Sequence, residues 1–185
     1  RAVVAQLADQ PGEYRRAMAA LQRDQRGLYL AAFQSYLWNV MASHWIVQHV
    51  PPEDRFEVSI GRWAFAFFRR LSPPLAKNFK NTQLPLPSAR CGIKSGPMRE
   101  LMEQASAELG LEVRQLRIKY PRDSFFSKGE RPLTFVPAHL EVDSGPDELN
   151  AGREKLVLEF DLPRGSYATI LVKRITENQG DVDLS

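Results

Sequence analysis

The sequence predicts an α+β fold, and three observations carry that reading. Residues 26–49 hold apolar and aromatic side chains at spacings of three and four, the period of a long amphipathic helix. Residues 131–142 and 155–162 read as strands, and in the second Leu156, Leu158, Phe160 and Leu162 alternate with Val157, Glu159 and Asp161. Proline and glycine punctuate the segments between them.

Each element follows in chain order. Pro11-Gly12 opens a helix with Tyr14, Met18 and Leu21 on one side. The long helix carries Tyr29, Phe33, Tyr36, Leu37, Val40, Met41, His44 and Trp45 as a core stripe, with Gln34, Ser35 and Asn39 at its edge. Pro51-Pro52 stops it. Phe56, Val58 and Ile60 alternate as in a strand, and 63–68 is strongly apolar. Four prolines between residues 72 and 87 suggest an extended, ordered connector. Gly96-Pro97 starts another helix, whose inward residues are Met98, Leu101, Met102, Ala105 and Leu109 and whose stop is Gly110. Residues 113–120 read as a strand. The strands at 131–142 and 155–162 flank a polar loop at 143–152, a last helix ends near Glu177, and 178–185 reads as a frayed tail.

Composition narrows the function classes. A chain of 185 residues with 43% hydrophobic content can bury a core, and a net charge of +3 permits an RNA partner without requiring one. One cysteine excludes an internal disulfide framework and fits a reducing cytoplasm. No apolar run reaches membrane-spanning length. The three histidines and Cys91 show no metal-ligand spacing, so no metal is expected. The chain begins at Arg1 with no initiator methionine, which raises the expectation of an upstream part of the protein.

The stretch with most to say about function is Leu162-Pro163-Arg164-Gly165-Ser166-Tyr167-Ala168-Thr169. Pro163 ends a strand, Gly165 permits a sharp turn, and Ser166 is a good N-cap for the helix carrying Ala168, Leu171, Val172 and Ile175. A strand, a tight turn and a helix N-terminus together can hold an anion such as phosphate. By pattern alone the stretch also reads as a plain strand-to-helix connection.

That stretch resembles the C-terminal signature of the tRNA pseudouridine synthase D (TruD) family. Residues 28–39, containing Phe33-Gln34-Ser35-Tyr36-Leu37-Trp38-Asn39, are similar to the helix that opens the bulk of that family's insertion domain. Glu130-Arg131-Pro132-Leu133-Thr134-Phe135-Val136-Pro137 resembles the strand before the final one. The three motifs stand in the family's order.

The resemblance implies an α/β insertion domain over residues 1–127, packed on antiparallel strands and a helix at 128–177 that belong to a pseudouridine synthase catalytic domain. It implies isomerisation of a tRNA uridine, in the bacterial family the one at position thirteen. Such enzymes cut the bond from ribose C1′ to uracil N1, turn the base and rejoin it through C5, with no cofactor and no metal. An essential aspartate drives the reaction on a flipped uridine. In the family it follows Gly-Xaa-Lys in the N-terminal half. Here Gly92-Ile93-Lys94 is followed by Ser95 and lies downstream of the long helix, and Asp9, Asp24, Asp54, Asp123, Asp143, Asp147 and Asp161 lack the expected setting. The nucleophile is therefore expected upstream, in a missing N-terminal half of the catalytic domain, and no catalytic residue is assigned in this chain. Tyr167 matches a position that is aromatic in the family and is a candidate for the uridine pocket, with core packing its alternative. Arg164, Gly165, Ser166 and Arg131 are candidates for the RNA backbone, with Lys128 a further candidate for a basic face. A non-catalytic RNA-binding module or scaffold is the rival reading, and a structural domain with no nucleic-acid role the third.

Overall fold

The computed structural model describes residues 2–119, 122 and 124–176. Among these, helices α1 (Ala2–Asp9) and α2 (Tyr14–Ala19) lead into α3 (Arg23–His49), a 27-residue helix. Strands β1 (Arg55–Ile60) and β2 (Trp63–Phe68) follow, then α4 (Pro73–Asn81), β3 (Gln83–Pro85) and α5 (Pro97–Ala107). The chain ends through β4 (Glu130–Pro132), β5 (Ala138–Pro146), β6 (Glu154–Asp161) and α6 (Ala168–Thr176). The α+β class expected from the pattern is the one observed.

The core forms along α3. Leu37, Val40, Met41 and Ala42 pack with Phe65 of β2, Leu84 of β3, and Leu101, Met102 and Ala105 of α5. Leu37, Met41, Leu84 and Met102 are wholly buried, the environment in which each apolar side chain contributes most. The strands pair two by two, all antiparallel: β1 with β2, β3 with β4 and β5 with β6. In the first hairpin Ile60 faces Trp63, so the loop is Gly61-Arg62, and Gly61 takes φ +59°, a conformation that suits glycine in a two-residue hairpin. The β3–β4 ladder sets Leu84 opposite Arg131, joining segments on either side of residue 127.

Polar side chains of α3 fix where distant segments dock. Gln34 is 3% exposed. Its Nε2 donates to the carbonyls of Pro87 (3.0 Å) and Ser127 (2.8 Å), and its Oε1 accepts the Ser127 amide (3.1 Å). Trp38 Nε1 donates to the Leu84 carbonyl (3.2 Å), and buried Arg26 donates to Ser124 Oγ (3.1 Å) and to the carbonyls of Ala19 and Leu21.

Several sequence expectations need correction. The helix at Ala2–Asp9 went unpredicted. The proline-rich connector contains α4, because Pro73 and Pro74 occupy its first turn, where no intrahelical amide is needed and a fixed φ suits the helix. Only Gln83–Pro85 of that stretch is strand. Of the strand expected at 113–120, residue 120 lies outside the described residues and 113–119 are not strand: Val113–Gln115 forms a 3-10 turn, with Glu112 and Gln115 capping one another. Val113 and Leu116, three apart, both reach the core, which a turn of that pitch allows. The loop expected at 143–152 is shorter, since β5 runs to Pro146. Of the β6 face expected to be buried, Leu156 is exposed and Leu158, Phe160 and Leu162 are only partly buried; Val157 on the opposite face is exposed, as are Leu140 and Val142 on β5. The end of the last helix at Glu177 and the tail at 178–185 lie outside the described residues.

Replacing Gln34 by the near-isosteric Met removes three hydrogen bonds, stranding the buried Pro87 carbonyl and leaving the amide and carbonyl of Ser127 without their partner. Urea unfolding should show a loss of about 2–4 kcal/mol, and a loss below about 0.5 kcal/mol would show that the clamp is dispensable.

Candidate functional site

A cavity of about 250 Å³ lies between α3, the β1–β2 hairpin, the segment Arg131–Phe135 and the turn leading into α6. One wall is α3, through Trp38, Asn39, Ala42, Ser43 and Ile46. The opposite wall is the turn, through Pro163, Arg164, Gly165, Ser166 and Tyr167, continued by Ile170, Leu171 and Arg174. All five residues singled out from the sequence, Arg131 and Arg164 to Tyr167, border this one space.

Local structure explains the placement of each. The Ser166 amide donates to the Pro163 carbonyl (3.0 Å), closing a four-residue turn with Gly165 at φ +90°. That positive φ at the third position is what a type II turn requires, and it favours glycine. The Tyr167 carbonyl accepts the Ile170 amide (3.1 Å), and α6 begins at Ala168. The N-cap expected at Ser166 is not at the helix start: α6 begins at Ala168, and the residue before it is Tyr167. The first-turn amides that a helix cannot satisfy itself are those of Ala168 and Thr169. Tyr167 is 59% exposed, so of its two readings core packing is not the one adopted.

Arg131 reaches the cavity from β4, half-buried. Its Nη1 donates to Ser35 Oγ of α3 (3.2 Å), so the guanidinium is aimed by a helix 96 positions away in sequence. Arg164 and Gly165 are exposed at the turn. Arg174 holds the far end of α6 against the hairpin: its Nη2 donates to the Arg69 carbonyl (2.6 Å), and its guanidinium lies 5.4 Å from the Phe56 ring and 5.6 Å from the Phe68 ring. Cation–π contacts of this kind contribute about 0.5–1 kcal/mol each when exposed.

The sequence reading missed part of the lining. Trp38, Phe135 and Arg174 were not singled out, and Asn39 was placed only at the edge of a core stripe. Asn39 is half-buried in the cavity wall and its amide has no hydrogen-bond partner among the described residues. The available signal was its spacing from Ser35: four residues apart, the two share a helix face. Among the described residues no group of histidine, cysteine or carboxylate side chains could hold a metal, and no helix is long and apolar enough to cross a membrane.

Chemically the cavity offers an apolar, aromatic interior lined also by three arginines (Arg131, Arg164 and Arg174), the Asn39 amide and a helix N-terminus. The same fold occurs in a solved structure from Methanosarcina mazei, a putative tRNA pseudouridine synthase D, with a TM-score of 0.63 and 22% identity over 97% of this chain and 44% of that one. The fold is therefore shared with that structure. A family model described as tRNA pseudouridine synthase D (TruD) matches residues 1–175, and this chain belongs to that family. Relatives include the probable tRNA pseudouridine synthase D 2 of Methanocaldococcus jannaschii, 28% identical over 88% of this chain and 38% of its own length. The tRNA pseudouridine synthase D of Aquifex aeolicus is 25% identical over 88% of this chain and 40% of its own length. The chain thus spans about two fifths of the length of these relatives.

Gly165→Ala places a Cβ where nothing lies within 4 Å, so its cost is purely backbone strain at φ +90°. A denaturation midpoint should report a loss of about 1–2 kcal/mol; an unchanged midpoint would mean that the turn relaxes freely.

Proposed function

We propose that this chain acts as the C-terminal portion of a tRNA pseudouridine synthase. Residues 1–127 serve as most of the insertion domain and 128–177 as the returning part of the catalytic domain. The observation that carries this reading is the convergence of Arg131, Arg164, Gly165, Ser166 and Tyr167, drawn from two distant stretches of chain, on one cavity. Pockets for drug-sized ligands measure about 300–1,000 Å³, so 250 Å³ suits a single flipped nucleoside.

In this reading the tRNA lies across the cleft and the target uridine leaves its stack to enter the cavity. The exposed ring of Tyr167 packs on the base. Arg131, held by Ser35, and Arg164 meet the flanking phosphates, with the amides of Ala168 and Thr169 as further donors. The apolar wall excludes water while the glycosidic bond is broken and remade. The nucleophilic aspartate comes from the remainder of the catalytic domain, and no cofactor or metal is required.

The β5–β6 hairpin supports a catalytic domain larger than this chain. Its apolar side chains Leu140, Val142, Leu156 and Val157 face solvent, and a two-stranded ribbon with open edges is a poor free-standing unit. Further strands of the same domain would cover both face and edge.

Intact protein and this chain should be compared for uridine-to-pseudouridine conversion in tRNA. Conversion is expected from the intact protein alone, and robust turnover by the isolated chain would overturn the placement of the nucleophile elsewhere. In the intact protein, Tyr167→Ala should lower kcat/KM by roughly 5- to 150-fold, the equivalent of about 1–3 kcal/mol of base stacking. Tyr167→Phe should retain most activity; equal losses in both would move the role from the ring to the hydroxyl.

A further inference from the structure

A second concavity, of about 320 Å³, shares no residue with the cleft. Its floor is Ser88, Leu116 and Phe126, and at its rim stand Arg90, Arg117, Lys128 and Phe125. No carboxylate lines it among the described residues. Arg90, Arg117 and Lys128 are exposed, and none makes a side-chain hydrogen bond or ion pair among the described residues. Elsewhere on the chain Arg99 pairs with Glu103, Arg114 with Glu112 and Lys155 with Glu148. Phe125 is 68% exposed, a large ring in the same groove as three cations that have no ion pair among the described residues.

The backbone carrying these groups is well tied. The Ala89 amide donates to the Leu116 carbonyl (2.9 Å), which sets Arg90 and Arg117 on neighbouring segments. Gln34 grips both the amide and the carbonyl of Ser127, the residue before Lys128, and the Leu86 amide donates to the Gly129 carbonyl (2.8 Å) just after it. The cations are therefore convergent by construction of the fold rather than by side-chain reach.

We propose that this groove is a second RNA subsite, outside the cleft, taking one unpaired or splayed nucleotide of the tRNA. Its phosphate sits among Arg90, Arg117 and Lys128, and its base stacks on Phe125. A positive groove beside a free aromatic ring is the combination that single-stranded RNA engages without reading sequence. An acidic peptide would satisfy the cations but would leave the ring unused. The proposal rests on the tRNA reading above, and binding measurements separate the two.

The test uses full-length protein and tRNA, with affinity measured by fluorescence anisotropy across a salt series and turnover measured in parallel. Wild type should bind with affinity falling steeply in salt. The triple variant R90A/R117A/K128A should bind about tenfold more weakly near physiological salt, with the log–log salt slope shallower by about one, as loss of a single phosphate contact requires. Its kcat at saturating tRNA should be unchanged. Phe125→Ala should weaken binding roughly fivefold or more, and Phe125→Trp should not. Wild type that fails to bind tRNA sinks the functional reading itself. Wild-type binding that both variants leave intact overturns the subsite alone, as does a fall in kcat at unchanged KM. Weakening in the triple variant but not in Phe125→Ala overturns the stacking assignment. Because all four side chains are exposed, far-ultraviolet circular dichroism should show the variants folded.

Discussion

The buried amide of Gln34 is the constraint on which the rest of this architecture depends. A polar side chain 3% exposed would destabilise the helix that carries it unless every hydrogen-bonding group found a partner. Gln34 finds them on two loops, at Pro87 and at Ser127, 53 and 93 positions away. Those loops lie beside the two strands of the β3–β4 ladder, so the amide fixes its approach to α3. Arg26 ties down Ser124 a little over two turns towards the N-terminus, and Trp38 holds the Leu84 carbonyl one turn towards the C-terminus. Apolar packing alone tolerates sliding; directional bonds from successive turns of one helix do not. Arg131 can be aimed by Ser35 only because the ladder bearing it has already been set in register.

How much of this was legible depended on whether the decisive interaction was local. The α3 helix, α5 with its Pro97 start and Gly110 stop, and the turn at Gly165 rest on near-neighbour stereochemistry, and their residues announced them. Where local signals were ambiguous the reading failed. Pro73-Pro74 is equally at home in an extended segment and in a helix's first turn, and the buried ring of Phe79 decides for the helix. Val113 to Tyr120 alternates like a strand, yet Val113 and Leu116 are drawn together into one core and bend the chain into a turn. The β6 strand has the alternation of a half-buried ribbon, but burial is a property of the partner, and the described residues supply none for Leu156.

The cleft shows the same division. Its turn-side residues could be named from the sequence because they form one contiguous motif, and the Arg131 strand because it matched a family pattern. Trp38, Asn39, Phe135 and Arg174 became visible only once α3, the hairpin and α6 were folded around a common space. Asn39 is the instructive case. On a helical wheel it is the polar border of an apolar stripe, and only the facing turn makes that border the wall of a cavity.

The two walls of the cleft are held by interactions of different strength, and this shapes how the site can work. The α3 wall belongs to the main core, with Leu37, Met41 and Met102 wholly buried behind it and the Gln34 clamp beside it. The turn wall is attached through Arg174 to the Arg69 carbonyl and to the faces of Phe56 and Phe68, at an exposed edge where such contacts contribute modestly. In the proposed function, a base entering the cavity would meet the core-backed surface of α3 on one side and the exposed turn on the other. Beside the first stands the arginine that Ser35 aims; the second carries the exposed ring of Tyr167. In that proposal the charge that positions the backbone stands beside the wall backed by the main core, and the ring that stacks on the base stands on the exposed turn, so the two roles fall to opposite sides of one cavity.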